Sequence, residues 1–314
     1  MKRFVKFYKN KFLYLFFFII CLFFIISIFK NNINLSYTFK KLYYNGINSI
    51  YESEVRKVSR NCKFSKNLKK KINFDKDFFF IAGHTYGSIY DQDEIIYPKF
   101  YSWLNSNRPK ISKGFFVGDF IKNFNIENIY KFNKKISNLN FDTFYAPGNH
   151  EFDQENKIKL FKKYFGKTYY SYQNNKNLFI VLNPYLNNWS IKNEQLIFLK
   201  KQINEYKSDV RNIFLIFHPA IFFENYNIKI RPNSYYGYET NNFWTEIYPF
   251  LQNFKNNFYL ISGDFGAYPN NKEFFCDKRE NILFIGTGMG GGVNDNVLVF
   301  QNQNNELIFD VVFF

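Results

Sequence analysis

The chain has 314 residues, room for one large domain or two small ones, and 46% of them are apolar, which is ample for a core. Aromatic residues reach 23%, with 44 Phe and 25 Tyr spread over the whole length, so they report a biased composition and point to no function. The net charge of +16 comes from scattered lysines, and with no nucleic-acid motif beside it this speaks against a specific nucleic-acid partner.

The first element is an anchor. Lys2, Arg3, Lys6, Lys9 and Lys11 precede an apolar run from Phe12 to Phe29, interrupted only by Ser27 and the amphipathic Tyr14. As a helix these 18 residues would span about 27 Å, close to the thickness of a bilayer core. Lys30 follows, and the next charge is Lys40. This asymmetry predicts a cytoplasmic tail (1–11), a signal anchor (12–29) and an extracytoplasmic remainder on the cytoplasmic membrane. A cleaved signal peptide is the competing reading, but Asn31-Asn32-Ile33-Asn34 is a poor cleavage site. Residues 30–75 read as a basic linker or stalk, and 76–314 as the folded domain. Of the three cysteines, Cys21 lies in the apolar run, while Cys62 and Cys276 could pair in an oxidising compartment. No Cys-x-x-Cys occurs, which makes a thiolate zinc site unexpected.

From Asp77 onward, short apolar runs alternate with helical patterns. Strands are predicted at Asp77–Ala82, Gly114–Val117, Thr143–Ala146, Leu178–Leu182, Ile213–Phe217, Phe258–Ser262 and Ile282–Ile285. They are apolar at successive positions, as strands covered on both faces should be. Val297–Phe300 and Leu307–Phe313 flank a polar hairpin turn at Gln301–Asn305. Helices are predicted at Ile95–Asn105, Glu127–Leu139, Gln154–Phe165, Lys192–Tyr206 and Asn242–Phe254. The alternation predicts an α/β layered fold, in which ligands gather beyond the carboxyl ends of the strands. The glycine-rich run Gly286–Gly292 lacks the Lys-Ser/Thr ending of a phosphate loop and reads as a tight loop approaching the site.

Five apolar runs finish in ligand-type residues: Gly83-His84, Gly118-Asp119, Gly148-Asn149-His150, His218-Pro219 and Gly263-Asp264. Imidazole, carboxylate and amide oxygen together suit Mn, Fe or Zn, and the ends read as one metal site at the edge of one sheet. Asn149 and His150 open a predicted helix, whose N-terminus favours phosphate.

With these residues in view, the chain resembles the calcineurin-like metallophosphoesterases. Gly118-Asp119, Gly148-Asn149-His150-Glu151 and His218 match that family's second, third and fourth motifs in order. Phe165-Gly166-Lys167-Thr168-Tyr169-Tyr170-Ser171-Tyr172 and the Gln195-to-Leu199 helix are similar to its intervening stretches, so the likeness covers about residues 77–290. Two motifs depart. The family's Asp-x-His-Gly reads His84-Thr85-Tyr86-Gly87, and its Gly-His-x-His reads Gly263-Asp264-Phe265-Gly266. A second register sets Ala82 and His84 on the family's Asp and His; Gly87 favours the first.

The resemblance implies a four-layer α-β-β-α sandwich and metal-dependent hydrolysis of a phosphate mono- or diester. It implies one divalent metal held by Asp119, Asn149, His218 and Asp264. A second metal keeps only His84 and Asp119, because Gly266 cannot ligate. His150 becomes the group that protonates the leaving oxygen, and Asn149, His150 and Tyr86 become substrate contacts. The expected partners are thus a phosphorylated substrate and, through the anchor, a membrane. The altered motifs leave open a tethered binding protein of the same fold that is weakly active or inactive; the anchor alone suggests a scaffold for surface-polymer assembly.

Overall fold

The computed structural model describes residues 72–90, 95–223, 241–268, 274–304 and 306–314. The expected tail, anchor, Cys62 and nearly all of the linker lie outside them. Among the described residues no helix is long and apolar enough to cross a membrane.

The runs expected to be strands are strands. They are β1 (Phe78–Ala82), β2 (Ile111–Val117), β3 (Asp142–Ala146), β5 (Asn177–Val181), β6 (Asn212–Phe217), β7 (Asn257–Ser262), β9 (Ile282–Gly286), β10 (Asn296–Gln303) and β11 (Glu306–Phe313). Two more are added, β4 (Tyr170–Asn174) and β8 (Phe275–Arg279). Both are edge strands with mixed polar and apolar residues, so they carry no apolar run.

The strands form two sheets, not one. The first has the order β11-β10-β1-β2-β3 and the second β4-β5-β6-β7-β9-β8. Within them, β1-β2-β3 and β5-β6-β7-β9 run parallel, and antiparallel strands close the edges. The expectation of a single sheet edge is thus corrected. An apolar run shows that both faces of a strand are covered, but not whether helices or a second sheet cover them.

The helices are α1 (Pro98–Asn107), α2 (Ile126–Ser137), α3 (Asn149–Phe152), α4 (Glu155–Tyr164), α5 (Asn193–Tyr206) and α6 (Tyr248–Leu251). Helix α1 starts three residues later than predicted because Pro98 takes its first position, where a missing N–H costs nothing. The predicted Asn242–Phe254 helix is a wide turn at Phe243–Ile247 running into the short α6, which has Pro249 at its start.

Three cores give the layers. Helices α1, α2 and α4 pack Phe100, Ile129, Phe132 and Phe161 on the outer face of the first sheet. Helix α5 packs Leu199 and Ile203 on the outer face of the second. Between the sheets lies a phenylalanine-rich core. Phe79 on β1 meets Phe179 on β5 edge-on at 5.3 Å, and Phe115 on β2 stacks on Phe179 at 4.8 Å. These ring contacts set two parallel sheets face to face with their carboxyl edges together, and the site is built along that line.

Candidate metal centre

Four strands deliver one polar side chain each past that edge: β1 gives His84, β2 Asp119, β6 His218 and β7 Asp264. All four are fully buried. The turns that present them are tight. After β2 the backbone enters the left-handed region at Gly118 (φ +68°) and stays there at Asp119 (φ +49°); His84 after β1 does the same (φ +48°). A Cβ at position 118 would overlap the His218 ring, so only glycine lets this loop of the first sheet lie against a histidine of the second. Backbone bonds lock the loops. The His84 N–H donates to the Gly118 carbonyl at 3.2 Å, the Gly118 N–H to that of Ala146 at 2.9 Å, and the Ser262 hydroxyl to that of His218 at 2.6 Å.

The donor atoms converge. His218 Nε2 lies 3.4 Å from Asp119 Oδ2 and 3.5 Å from Asp264 Oδ1. His84 Nε2 lies 3.5 Å from Asp264 Oδ1, and His84 Nδ1 lies 3.7 Å from Asp119 Oδ2. His84, His218 and Asp264 each offer a ligand atom within 4.8 Å of the others, so this buried group could bind a metal. Donors on a tetrahedron with bonds of about 2.1 Å stand about 3.4 Å apart, close to the spacing found. His84 Nδ1, Asp119 Oδ2 and His218 Nε2 are buried without a hydrogen-bond partner. Such orphaned atoms are expensive unless something polar joins them, and a borderline divalent cation fits this imidazole–carboxylate set.

The tautomer of His218 is fixed. Its Nδ1 lies 2.9 Å from the Val117 carbonyl, which can only accept, so Nδ1 carries the proton and Nε2 offers its lone pair to the cluster. The surrounding carboxylates favour a cation at this place, a proton or a metal ion. Burial works against an imidazolium at His218, yet Asp119 and Asp264 outweigh it and lift the group to about 9. At His84 burial wins and lowers its pKa, although the bond to Asp264 pulls the other way. Burial would raise Asp119, but His218, His150 and His84 hold it well below the usual carboxylate range.

His150 sits at the rim, 29% exposed at its side chain, with Nε2 3.8 Å from Asp119 Oδ2. Its Nδ1 lies 2.7 Å from the Lys122 carbonyl, which leaves Nε2 as the working atom. Burial, the largest single effect, lowers its proton affinity, but the Asp119 and Glu151 charges and the bond to the Lys122 carbonyl together raise it, for a net upward shift. The ring of Tyr86 stacks on that of His150 at 5.6 Å and meets that of His84 edge-on at 5.6 Å. The Tyr86 hydroxyl is buried without a partner, and burial keeps it protonated far above neutrality. Asn149 connects to the cluster indirectly: its Oδ1 accepts from the Tyr185 hydroxyl at 3.3 Å, and the Tyr185 ring faces that of His218 at 6.4 Å. Helix α3, which Asn149 opens, is only four residues long and so brings little dipole to the site. At position 266 a Cβ would meet Met289 backbone and the His84 Cβ, so no histidine fits there in this arrangement. The Gly286–Gly292 loop thus packs behind the cluster.

Two further residues matter here. Glu151 is buried and accepts the N–H groups of Asp119 (2.8 Å), Phe120 (3.1 Å), Ile121 (3.3 Å) and Gly148 (2.8 Å), so it holds the Asp119 turn against α3. Burial, with the Asp119 charge second, pushes its carboxyl up to about 7. Tyr185 follows Asn183 at the end of β5. The signal for it was Leu182-Asn183, one more apolar run ending in a polar residue.

No protein-family model matches the sequence, and no curated protein matches it. The structure is similar to that of purple acid phosphatase PPD1 from yellow lupin (Lupinus luteus) seeds, with a TM-score of 0.55 and 14% identity. That likeness covers 75% of this chain and 51% of the other, so the chain spans about half the length of the lupin protein. A fainter likeness, to Vacuolar Protein Sorting 29 from Cryptosporidium parvum, has a TM-score of 0.33 and 9% identity over 76% of this chain and 97% of the other. The lupin likeness establishes the fold: two sheets flanked by helices, of the calcineurin-like metallophosphoesterase type.

Proposed function

We propose that the domain hydrolyses phosphate esters with the help of one divalent metal ion, Mn, Fe or Zn. One observation carries this reading: loops from both sheets bring His84, Asp119, His218 and Asp264 together at the strand edge of this fold, with His84 Nδ1, Asp119 Oδ2 and His218 Nε2 left unpartnered. His218 Nε2, Asp119 Oδ2, Asp264 Oδ1 and one nitrogen of His84 would hold the ion. In this reading His84, which the resemblance gave to an incomplete second site, joins the other three on the same ion. A divalent ion bound there supplies a polarised phosphoryl oxygen and a water acidified toward neutrality.

The remaining residues do the positioning and the proton work. His150 Nε2, at the exposed rim, protonates the leaving oxygen, and its upward-shifted proton affinity favours the imidazolium this role needs. The Tyr86 hydroxyl stays a neutral donor and hydrogen-bonds a phosphoryl oxygen. The Asn149 side chain, held by Tyr185, completes the ligand set or contacts the phosphate. The N-terminal run would anchor this domain on the outer side of the cytoplasmic membrane. The disulfide at Cys276 supports an oxidising compartment.

The altered motifs favour a second reading, a tethered binding protein. The full-length protein, purified in detergent, separates the two. We expect metal near one ion per chain, metal-dependent turnover of some phosphomonoesters or diesters, and loss of both in Asp119→Ala. Bound metal without turnover across a broad panel supports the binder. No stoichiometric metal in wild type or variant ends both metal-centred proposals.

A further inference from the structure

The segment that follows β5 carries two aromatic rings beside the cluster: Tyr185, which holds Asn149, and Trp189, to which the phosphoesterase reading gives no task. It turns through a short helix at Pro184–Asn187 and then holds Asn188 (φ +49°) and Trp189 (φ +67°) consecutively in the left-handed region. A bulky side chain is rarely found there, and such strain persists only where the surroundings impose it.

Here they do, from both ends. At the start, the buried Gln195 accepts the Asn183 N–H at 2.5 Å and donates to the Asn183 carbonyl at 2.9 Å. At the end, Asn242 accepts the Ile191 N–H at 3.0 Å and donates to the Ile191 carbonyl at 2.8 Å. Two amide side chains from separate helical segments thus pin the loop, and the pinning sets the Trp189 ring against Tyr185, edge to face, at 5.1 Å. Both rings are half-buried, and Leu186 between them is 41% exposed. Tyr185 in turn reaches Asn149 through its hydroxyl and faces His218. The indole stands two ring contacts away from the metal cluster, on the strand edge where a substrate would extend past its phosphate.

We propose that Tyr185 and Trp189 form the leaving-group wall of this site, and that they select phosphate esters whose leaving group carries a flat aromatic ring of the nucleobase kind. The inference rests on the phosphoesterase reading for the position of the phosphate. An indole held rigidly at the rim offers a stacking face at little ordering cost, and base–aromatic stacking accepts any base because every base has a π-face. Trp189 acts as a specificity residue and Tyr185 as its support.

The test compares two non-hydrolysable probes that differ only by the base: the phosphonate analogues of adenosine 5′-monophosphate and of ribose 5-phosphate. Each is titrated calorimetrically into full-length protein. Wild type should bind the base-bearing probe about tenfold more tightly or better. Trp189→Ala should bring the two affinities to within about twofold of each other, while Trp189→Phe keeps most of the difference. Circular dichroism checks that both variants are folded. Equal binding of the two probes by wild type, binding of neither, or an equal loss of both in Trp189→Ala would overturn the proposal. Turnover is assayed apart from binding, so discrimination without hydrolysis would remove the enzyme reading and leave this wall in place.

Discussion

At the scale of single residues, the site is a balance between buried histidines and buried carboxylates. His218 is the clearest case. Its proton affinity is lifted to about 9 from an ordinary value near 6.5. In metal-free protein a proton therefore holds the place between Asp119 and Asp264. The stabilisation from that proton is complete below about pH 6.5 and is lost as pH rises through about 9. A metal ion must displace it, so apparent affinity should climb about tenfold per pH unit across that window and then level off. Metal titrations at stepped pH, with release of one proton per ion, check this; a flat profile would count against His218 as a ligand. Metal-free His218→Asn should lose the matching slope of stability against pH. Glu151 supports the same site from behind. Glu151→Gln keeps the shape but turns an amide N–H toward backbone donors, which should cost about 1–3 kcal/mol of stability. It should also weaken metal binding about 10-fold or more, because the Asp119 turn is no longer held. Unchanged metal affinity in a folded Glu151→Gln would refute that role.

At the scale of elements, the decisive contact is between sheets. Phe179 touches Phe79 at 5.3 Å, Phe115 at 4.8 Å and Phe214 at 4.7 Å, so one ring joins β1 and β2 to β5 and β6. Phe179→Ala should cost about 3–5 kcal/mol by thermal or denaturant unfolding, and metal affinity should fall with it, since the four ligands come from both sheets. A loss under about 1 kcal/mol would mean the sheets are held elsewhere. This layer also marks where the sequence stopped being legible. The strands were readable because Phe78–Ala82 or Ile213–Phe217 are apolar at every position, and the polar residues at their ends were readable for the same reason. The pairing of sheets was not, because Phe79 facing a helix and Phe79 facing Phe179 look alike in one dimension. Strands β4 and β8 were missed because Ser171, Gln173, Asp277 and Lys278 break the run at a sheet edge. The roles of Glu151 and Tyr185 depend on contacts spanning 30 to 36 positions, which spacing cannot reveal.

At the scale of the whole molecule, a covalent cross-link adds to the packing of the fold. Cys276, the second residue of the edge strand β8, is buried and disulfide-bonded. A disulfide restricts the unfolded chain, and on the chain-entropy account typically contributes about 2–4 kcal/mol. Much of the domain's stability would then depend on an oxidising surrounding. That is a requirement met outside the cytoplasm, where the basic tail and the apolar run would place the domain. Reductant should therefore lower the unfolding temperature of the full-length protein by several degrees, and Cys276→Ser should show the same lowering without responding to reductant at all. If reductant and Cys276→Ser both leave unfolding unchanged, the cross-link contributes nothing to the fold. The proposed extracytoplasmic placement then rests on the N-terminal run alone.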